Sequence, residues 1–229
     1  METADLAAQS DYKTLICDLD SQGSATYYFR IKPRLKKKAQ GFSQAGRPIE
    51  RSIKATDYAH LDLLPADFTH RNLDIAFLEA KQPKEQLRRI LTPLSTEYDL
   101  IFLDCPPTFN ILAENIFRAA DMLLVPLIPT TLSVRTYVQL RAFLQQNGYD
   151  TETVCTFFSL VDGRKKMHRE LATAVYRKFD HICKTPIPYR SQIEKMGLYR
   201  APVPVFAPHS VAAQAYQSLW QEIQGVLEK

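Results

Sequence analysis

The sequence predicts an α/β fold: a mostly parallel, twisted sheet with helices on both of its faces. Two observations carry this expectation. Short apolar runs bounded by turn residues recur along the chain, as strands buried on both faces do. Longer segments with apolar residues at helical spacing separate them, and such alternation packs as a parallel sheet covered by helices.

In chain order, the strand candidates are Tyr12–Leu19 (YKTLICDL), Leu61–Pro65 (LDLLP), Asp99–Cys105 (DLIFLDC), Asp121–Leu127 (DMLLVPL), Thr153–Val161 (TVCTFFSLV) and Cys183–Pro188 (CKTPIP). The helix candidates begin with Phe68–Ala80, with Asp67 as its N-cap, and Lys84–Ser95, which follows Pro83. Asn110–Ala120, Ser133–Gln146, Lys166–Phe179 and Ser210–Leu227 continue the series. There is no internal repeat and no low-complexity linker, so residues 1–229 read as a single domain.

A chain of 229 residues is long enough to bury a substantial core. Its formal charge of +4 does not compel a nucleic-acid partner. Between Arg30 and Lys54 stand nine Lys or Arg residues against one acid, Glu50, and that stretch reads first as a solvated loop. Cys17, Cys105, Cys155 and Cys183 form no C-x-x-C pair, so they read as buried or reduced thiols rather than a disulfide frame or metal site. No apolar run reaches the ~18 residues of a membrane span. The N-terminus is too polar for a signal peptide, and a cytoplasmic protein without a membrane partner is expected.

In parallel α/β sheets ligands bind outside the carboxyl ends of the strands, so the residues there matter most. The first candidate strand ends in Asp18-Leu19-Asp20-Ser21-Gln22-Gly23. Two carboxylates two residues apart on extended chain point the same way, and could hold Mg²⁺-bound water or orient an attacking water. The same residue types equally suit a turn and a helix N-cap. A second strand ends in Asp104-Cys105-Pro106-Pro107. An apolar strand ending in Asp is the Walker B arrangement, in which the carboxylate meets Mg²⁺ through water and the prolines stiffen the next turn. His168 and His209 have no acid or cysteine nearby in sequence and read as surface residues.

These residues resemble one family in particular. LICDLDSQGSAT resembles the second-strand signature of the ParA/Soj partitioning ATPases, L-L-I-D-x-D-P-Q-G-N-A-T. EYDLIFLDCPPTFNILAENIFRAADMLLVPLIPT resembles that family's Walker B strand with the helix and strand after it. FFSLVDGRKKMHRELATAVYRKF and IPYRSQIEKMGLYRAPVPVFAPHSVAAQAYQSL are similar to later segments of the family, in the family's order. The resemblance runs from about Leu6 to the end of the chain.

The resemblance implies a P-loop NTPase-like fold with ATP and Mg²⁺ as cofactors. It implies Asp20 as the catalytic acid, and Asp18 and Asp104 near the Mg²⁺ water shell. It implies Cys105, Pro106, Pro107 and Thr108 as the switch that senses the γ-phosphate. Ser159 to Asp162, and Pro188 with Tyr189, lie where the family contacts the base. The implied partners are a second copy in an ATP-dependent homodimer, nonspecific DNA, and a centromere-binding or cargo adaptor protein. Gln192, Ala201 and His209 stand where the family often has basic DNA-binding residues. Arg164, Lys165, Lys166 and Arg200 are candidate replacements, although a solvated face explains them equally well.

One part of the family pattern is absent. No K-G-G-V-G-K-T and no other G-x-x-x-x-G-K-[ST] occurs among the 229 residues. Met1–Ser10 resemble the last turns of the helix that follows this loop in the family. The expectation is a domain lacking the first strand and the phosphate loop, inactive as an ATPase in this form. Two further readings stay open: a non-catalytic interaction module, and a MinD-like positioning protein. The last helix is only modestly basic, which disfavours membrane attachment.

Overall fold

The structure is a computed structural model that describes residues 1–32, 49–66 and 73–228. The chain divides into two compact units, Met1–Ala119 with Arg200–Pro202, and Ala120–Tyr199 with Val203–Lys229.

The first unit is built on a four-stranded sheet in the order β2-β3-β1-β4. Strand β1 is Thr14–Asp18, β2 Lys54–Ala55, β3 Leu61–Leu64 and β4 Leu100–Asp104. Strands β3 and β4 run parallel to β1, one on each side, and only the two-residue β2 is antiparallel. With a neighbour on each side, every residue of β1 is buried; β4, which pairs with β1 alone among the described residues, is half-buried throughout. Helix α1 (Glu2–Gln9) packs on β1 and β3, placing Ala4 and Ala8 against Ile16, Leu61, Leu63 and Phe29. Small residues on this face let the helix backbone sit close to the strands. Helices α2 (Ser24–Tyr28), α3 (Leu73–Leu78), α4 (Gln86–Leu91) and α5 (Ile111–Ala119) complete the unit. The buried Asn115 ties α5 to α4 and to the chain before it: its Oδ1 accepts from Leu87 N at 3.1 Å, and its Nδ2 donates to Pro83 O at 2.8 Å.

The second unit holds a parallel pair, β5 (Leu123–Leu127) and β6 (Val154–Phe158). Pro126 lies inside β5, as proline does in edge strands, because it has no N–H to give a second neighbour. Helix α6 (Thr131–Gln146) starts from Thr130, whose hydroxyl accepts from Ser133 N. Helix α7 (Lys166–Lys178) follows β6, then α8 (Ser191–Tyr199), α9 (Val203–Phe206) and α10 (Val211–Leu227). Ser210 caps α10 by accepting from Ala213 N at 3.1 Å.

Five of the six expected strands form. The sixth, Cys183–Pro188, does not: only single bridges join Thr156 to Ile182 and Val161 to Pro188. Cys183, Ile187 and Tyr189 still donate to Thr156 O, Phe158 O and Val161 O, but the Thr185 N–H between them goes to Glu222 Oε1 at 2.8 Å, so the ladder lapses there. The Asp67 cap and the start of the helix expected from Phe68 lie outside the described residues, as does most of the basic stretch after Arg30. Among the described residues no helix is long and apolar enough to cross a membrane.

Candidate functional site

Strand β1 delivers Asp18, and β4 delivers Asp104, to the same end of one sheet. The two are register partners on adjacent parallel strands, and Leu19 N donates to Asp104 O at 2.9 Å just beyond them. Parallel register partners place their side chains on the same face.

Asp18 is fully buried. Its Oδ2 accepts from Thr26 N at 2.8 Å and from Thr26 Oγ1 at 2.7 Å, so the turn after β1 folds back onto its own strand end. Thr26 Oγ1 in turn accepts from Ala66 N at 2.8 Å, tying the end of β3 into the same network. Oδ1 of Asp18 has no hydrogen bond. Burial pushes the Asp18 carboxyl up to about 6, with the Asp104 charge adding and the Thr26 hydrogen bonds opposing. A buried carboxylate oxygen without a donor, beside a second carboxylate, is an arrangement that a hydrated cation would relieve.

Asp20 lies past the strand end, in the turn. Its Oδ1 accepts from Gln22 N, and its carbonyl accepts from Gly23 N, both at 2.9 Å. Gly23 then takes φ +66° and opens α2, a conformation that favours glycine. The extended geometry expected for the pair Asp18 and Asp20 therefore holds only for Asp18. Asp20 takes the turn role that the sequence left open, and remains half-exposed. After Asp104 the chain runs through Cys105, Pro106, Pro107 and Thr108, where Thr108 N donates to Pro106 O at 2.8 Å and the Thr108 hydroxyl donates to Asn110 Oδ1 at 3.2 Å.

In the second unit the structure brings the expected base-contact residues together. Ser159 N donates to Leu127 O at 3.0 Å, which fixes the exit from β6 beside β5. Val161 bridges to Pro188, Val161 N donates to Ile187 O at 3.0 Å, and Tyr189 N donates to Val161 O at 2.9 Å. Ser159–Asp162 and Pro188–Tyr189 thus form one double-stranded rim. Tyr189 is 45% exposed, and its hydroxyl donates to Glu194 Oε1 at 2.7 Å.

The basic candidates fall into different surroundings. Arg164 grips Asp162 with Nε at 3.0 Å and Nη2 at 2.9 Å, which holds the Asp162 carboxyl well below the usual carboxylate range. Lys166 pairs with Glu170 one turn on, at 3.4 Å. Lys165 is exposed at the start of α7. Arg200 donates from Nε to Tyr27 O at 2.8 Å, and its guanidinium stands 4.4 Å from the centre of the Tyr27 ring. His168 corrects the surface expectation: it is 4% exposed, and its Nδ1 accepts from Asp162 N at 3.2 Å, which supports the turn entering α7. His209 is exposed, as expected.

The residues present would suit Mg²⁺, with Asp18 and Asp104 as the acids that would hold it through water. The nucleotide phosphates do not find a counterpart: the sequence contains no glycine-rich lysine loop to supply backbone N–H groups and positive charge. Among the described residues no cluster of three or more His, Cys, Asp or Glu side chains is placed to hold a metal directly.

The sheet is mostly parallel with acids at the carboxyl ends of adjacent strands, and the fold matches the cell division ATPase MinD of Pyrococcus furiosus with a TM-score of 0.75 at 19% identity over 98% of this chain and 92% of that one. The chain belongs to the AAA_31 family, described as an AAA domain, whose model matches residues 2–154. It is 25% identical over 217 residues to the sporulation initiation inhibitor protein Soj of Bacillus subtilis (strain 168), covering 92% of this chain and 86% of Soj. It is 23% identical over 222 residues to the chromosome partitioning protein ParA of Myxococcus xanthus (strain DK1622), covering 94% of this chain and 78% of that protein. Its fold matches cobyrinic acid a,c-diamide synthase from Mycobacterium smegmatis, solved with bound ADP and magnesium, with a TM-score of 0.79 at 21% identity over 100% of this chain and 88% of that one.

Proposed function

We propose that this chain carries the acidic half of a partitioning-type ATPase site, from the class that couples ATP binding and hydrolysis to dimerisation and to DNA or partner binding. One observation carries this: Asp18 and Asp104 share a register position at the carboxyl ends of β1 and β4, with a buried Asp18 oxygen left unsatisfied. The likeness to Soj and ParA supports the partitioning class, and the ADP and magnesium in the diamide synthase structure support the choice of ligands.

In this reading Asp18 and Asp104 would hold Mg²⁺ through water, the ion would supply positive charge to the phosphates, and Asp20 would orient water at the mouth of the turn. Cys105–Thr108 follow Asp104 directly and form the switch. Ser159, Asp162, Pro188 and Tyr189 form the rim that meets the base. A second copy of the chain, nonspecific DNA and a cargo adaptor protein are the partners the class implies.

These 229 residues contain no glycine-rich lysine loop, which favours a second reading in which they act as a non-catalytic interaction module. Electrostatic stabilisation by that loop is most of what phosphoryl transfer asks of a protein. The expected result for the chain as it stands is weak Mg-ATP binding and hydrolysis at background rate, read by calorimetry and a phosphate-release assay. Saturable, Mg²⁺-dependent turnover that disappears in Asp20→Ala would reveal a phosphate site elsewhere and remove the second reading.

A further inference from the structure

Cys155 in β6 and Cys183 at the start of the segment beside it bring their sulfurs to 3.2 Å. The contact is set by the backbone. Thr156 N donates to His181 O at 3.0 Å and Cys183 N donates to Thr156 O at 2.7 Å, so the two chains run in parallel and carry both cysteines on one face. Cys183 is held from the other side as well. Tyr176 Oη donates to its carbonyl at 3.0 Å, and the Glu222 carboxylate accepts from Lys184 N at 2.7 Å and Thr185 N at 2.8 Å. Both thiols are nearly buried, at 6% and 7% exposure, and neither has a role in the nucleotide-site reading.

We propose that Cys155 and Cys183 are a redox pair that closes to a disulfide when the protein meets a hydroperoxide, covalently fastening the Cys183–Tyr189 segment to β6. A disulfide needs the sulfurs about 1.2 Å closer than they stand, a shift within reach of side-chain rotation and a small movement of a segment held by single bridges. Either S–H can donate across this contact; with Cys155 as the attacking sulfur, the Cys183 S–H steadies the thiolate and pulls it below the usual thiol range. The Cys155 sulfur takes the terminal peroxide oxygen; the O–O bond breaks, and water or an alcohol leaves with a proton. The Cys183 sulfur then attacks the sulfenic sulfur, the S–O bond breaks, and water leaves with the Cys183 proton. Two thiols are oxidised, and one peroxide is reduced.

The test is made on the whole chain with hydrogen peroxide as the probe. Thiol titration in denaturant should fall from four groups to two, and dithiothreitol should restore four. Trypsin should release the peptide spanning 142–164 linked to that spanning 179–184, lighter by two hydrogens than their sum. Amide exchange at Ile187 and Tyr189, which donate to Phe158 O and Val161 O, should slow in the oxidised form. Cys105→Ser, which removes the exposed thiol, should leave the cross-link in place; Cys155→Ser should abolish it. A wild-type chain that keeps four thiols, or is oxidised only at Cys105, or links through Cys17, would overturn the proposal.

Discussion

Thr26 holds Asp18 with two hydrogen bonds to one oxygen, Oδ2, and the other oxygen, Oδ1, is buried without a hydrogen bond. The same hydroxyl accepts from Ala66 N, so one side chain links the acid to the ends of two strands. Thr26→Val keeps the shape but removes the hydroxyl, which costs one bond to a carboxylate and strands a buried N–H. The expected loss is about 2–4 kcal/mol in urea unfolding. A loss below about 0.5 kcal/mol would mean that Thr26 does not support Asp18.

Arg200 is occupied by Tyr27, through a hydrogen bond and a cation–π contact. Arg200→Ala is expected to lower stability by about 1–2 kcal/mol and to leave the salt dependence of any DNA binding unchanged. Lys165→Ala, by contrast, is expected to reduce the slope of log K against log salt by ~0.9 if Lys165 neutralises one phosphate. Filter binding across a salt series reads both. A reduced slope in Arg200→Ala would place that residue on DNA instead.

Much of the first unit was legible in the sequence, because β1, β3 and β4 are dense apolar runs between turn residues. The acids at the ends of β1 and β4 stood out for the same reason. Other features left no such trace. Strand β2 is two residues long, Lys54–Ala55, and no alternation can show over that length. The run Cys183–Pro188 looked like a strand by its apolar residues, while the Thr185 N–H turns to the Glu222 carboxylate, 37 positions away, and interrupts the ladder. His168 looked solvent-facing because its partner is a backbone N–H, that of Asp162, which no sequence pattern displays. Arg200 binds a residue 173 positions away, a distance over which spacing carries no signal. The turn at Asp20 was one of two readings left open, and the Gly23 that follows decides it by taking a positive φ.

Asp5 gives a pH dependence separate from the site. It is fully buried in α1, and burial pushes its carboxyl up to about 6 against a hydrogen bond from Gln9. A carboxyl whose folded pKa is raised stabilises the fold below its unfolded pKa and loses that contribution as pH rises through the folded value. Stability from this group should therefore fall between about pH 4 and pH 6, by roughly 2–3 kcal/mol. Asp5→Asn should make that part of the profile shallower in urea melts across pH, leaving the share of Asp18, which is raised to about the same value, and should be more stable than wild type at pH 7.5. An unchanged profile would show that Asp5 does not titrate in this range.

The proposed function rests on Asp18 and Asp104 serving as the acids of a partitioning-type ATPase site, with Asp20 as its catalytic acid. Strand β4 pairs on one side only among the described residues, and its half-buried apolar residues suit a parallel neighbour. The most direct measurement fuses a relative's first strand, its K-G-G-V-G-K-T loop and the start of the following helix ahead of Leu6. ATP turnover is then measured with and without Asp20→Ala. The account predicts that the fusion melts at a higher temperature, binds Mg-ATP and hydrolyses it. Asp20→Ala should keep binding and lose hydrolysis, and replacing the loop lysine should lose binding itself. A folded fusion that binds ATP and turns it over equally well with Asp20→Ala would contradict the account.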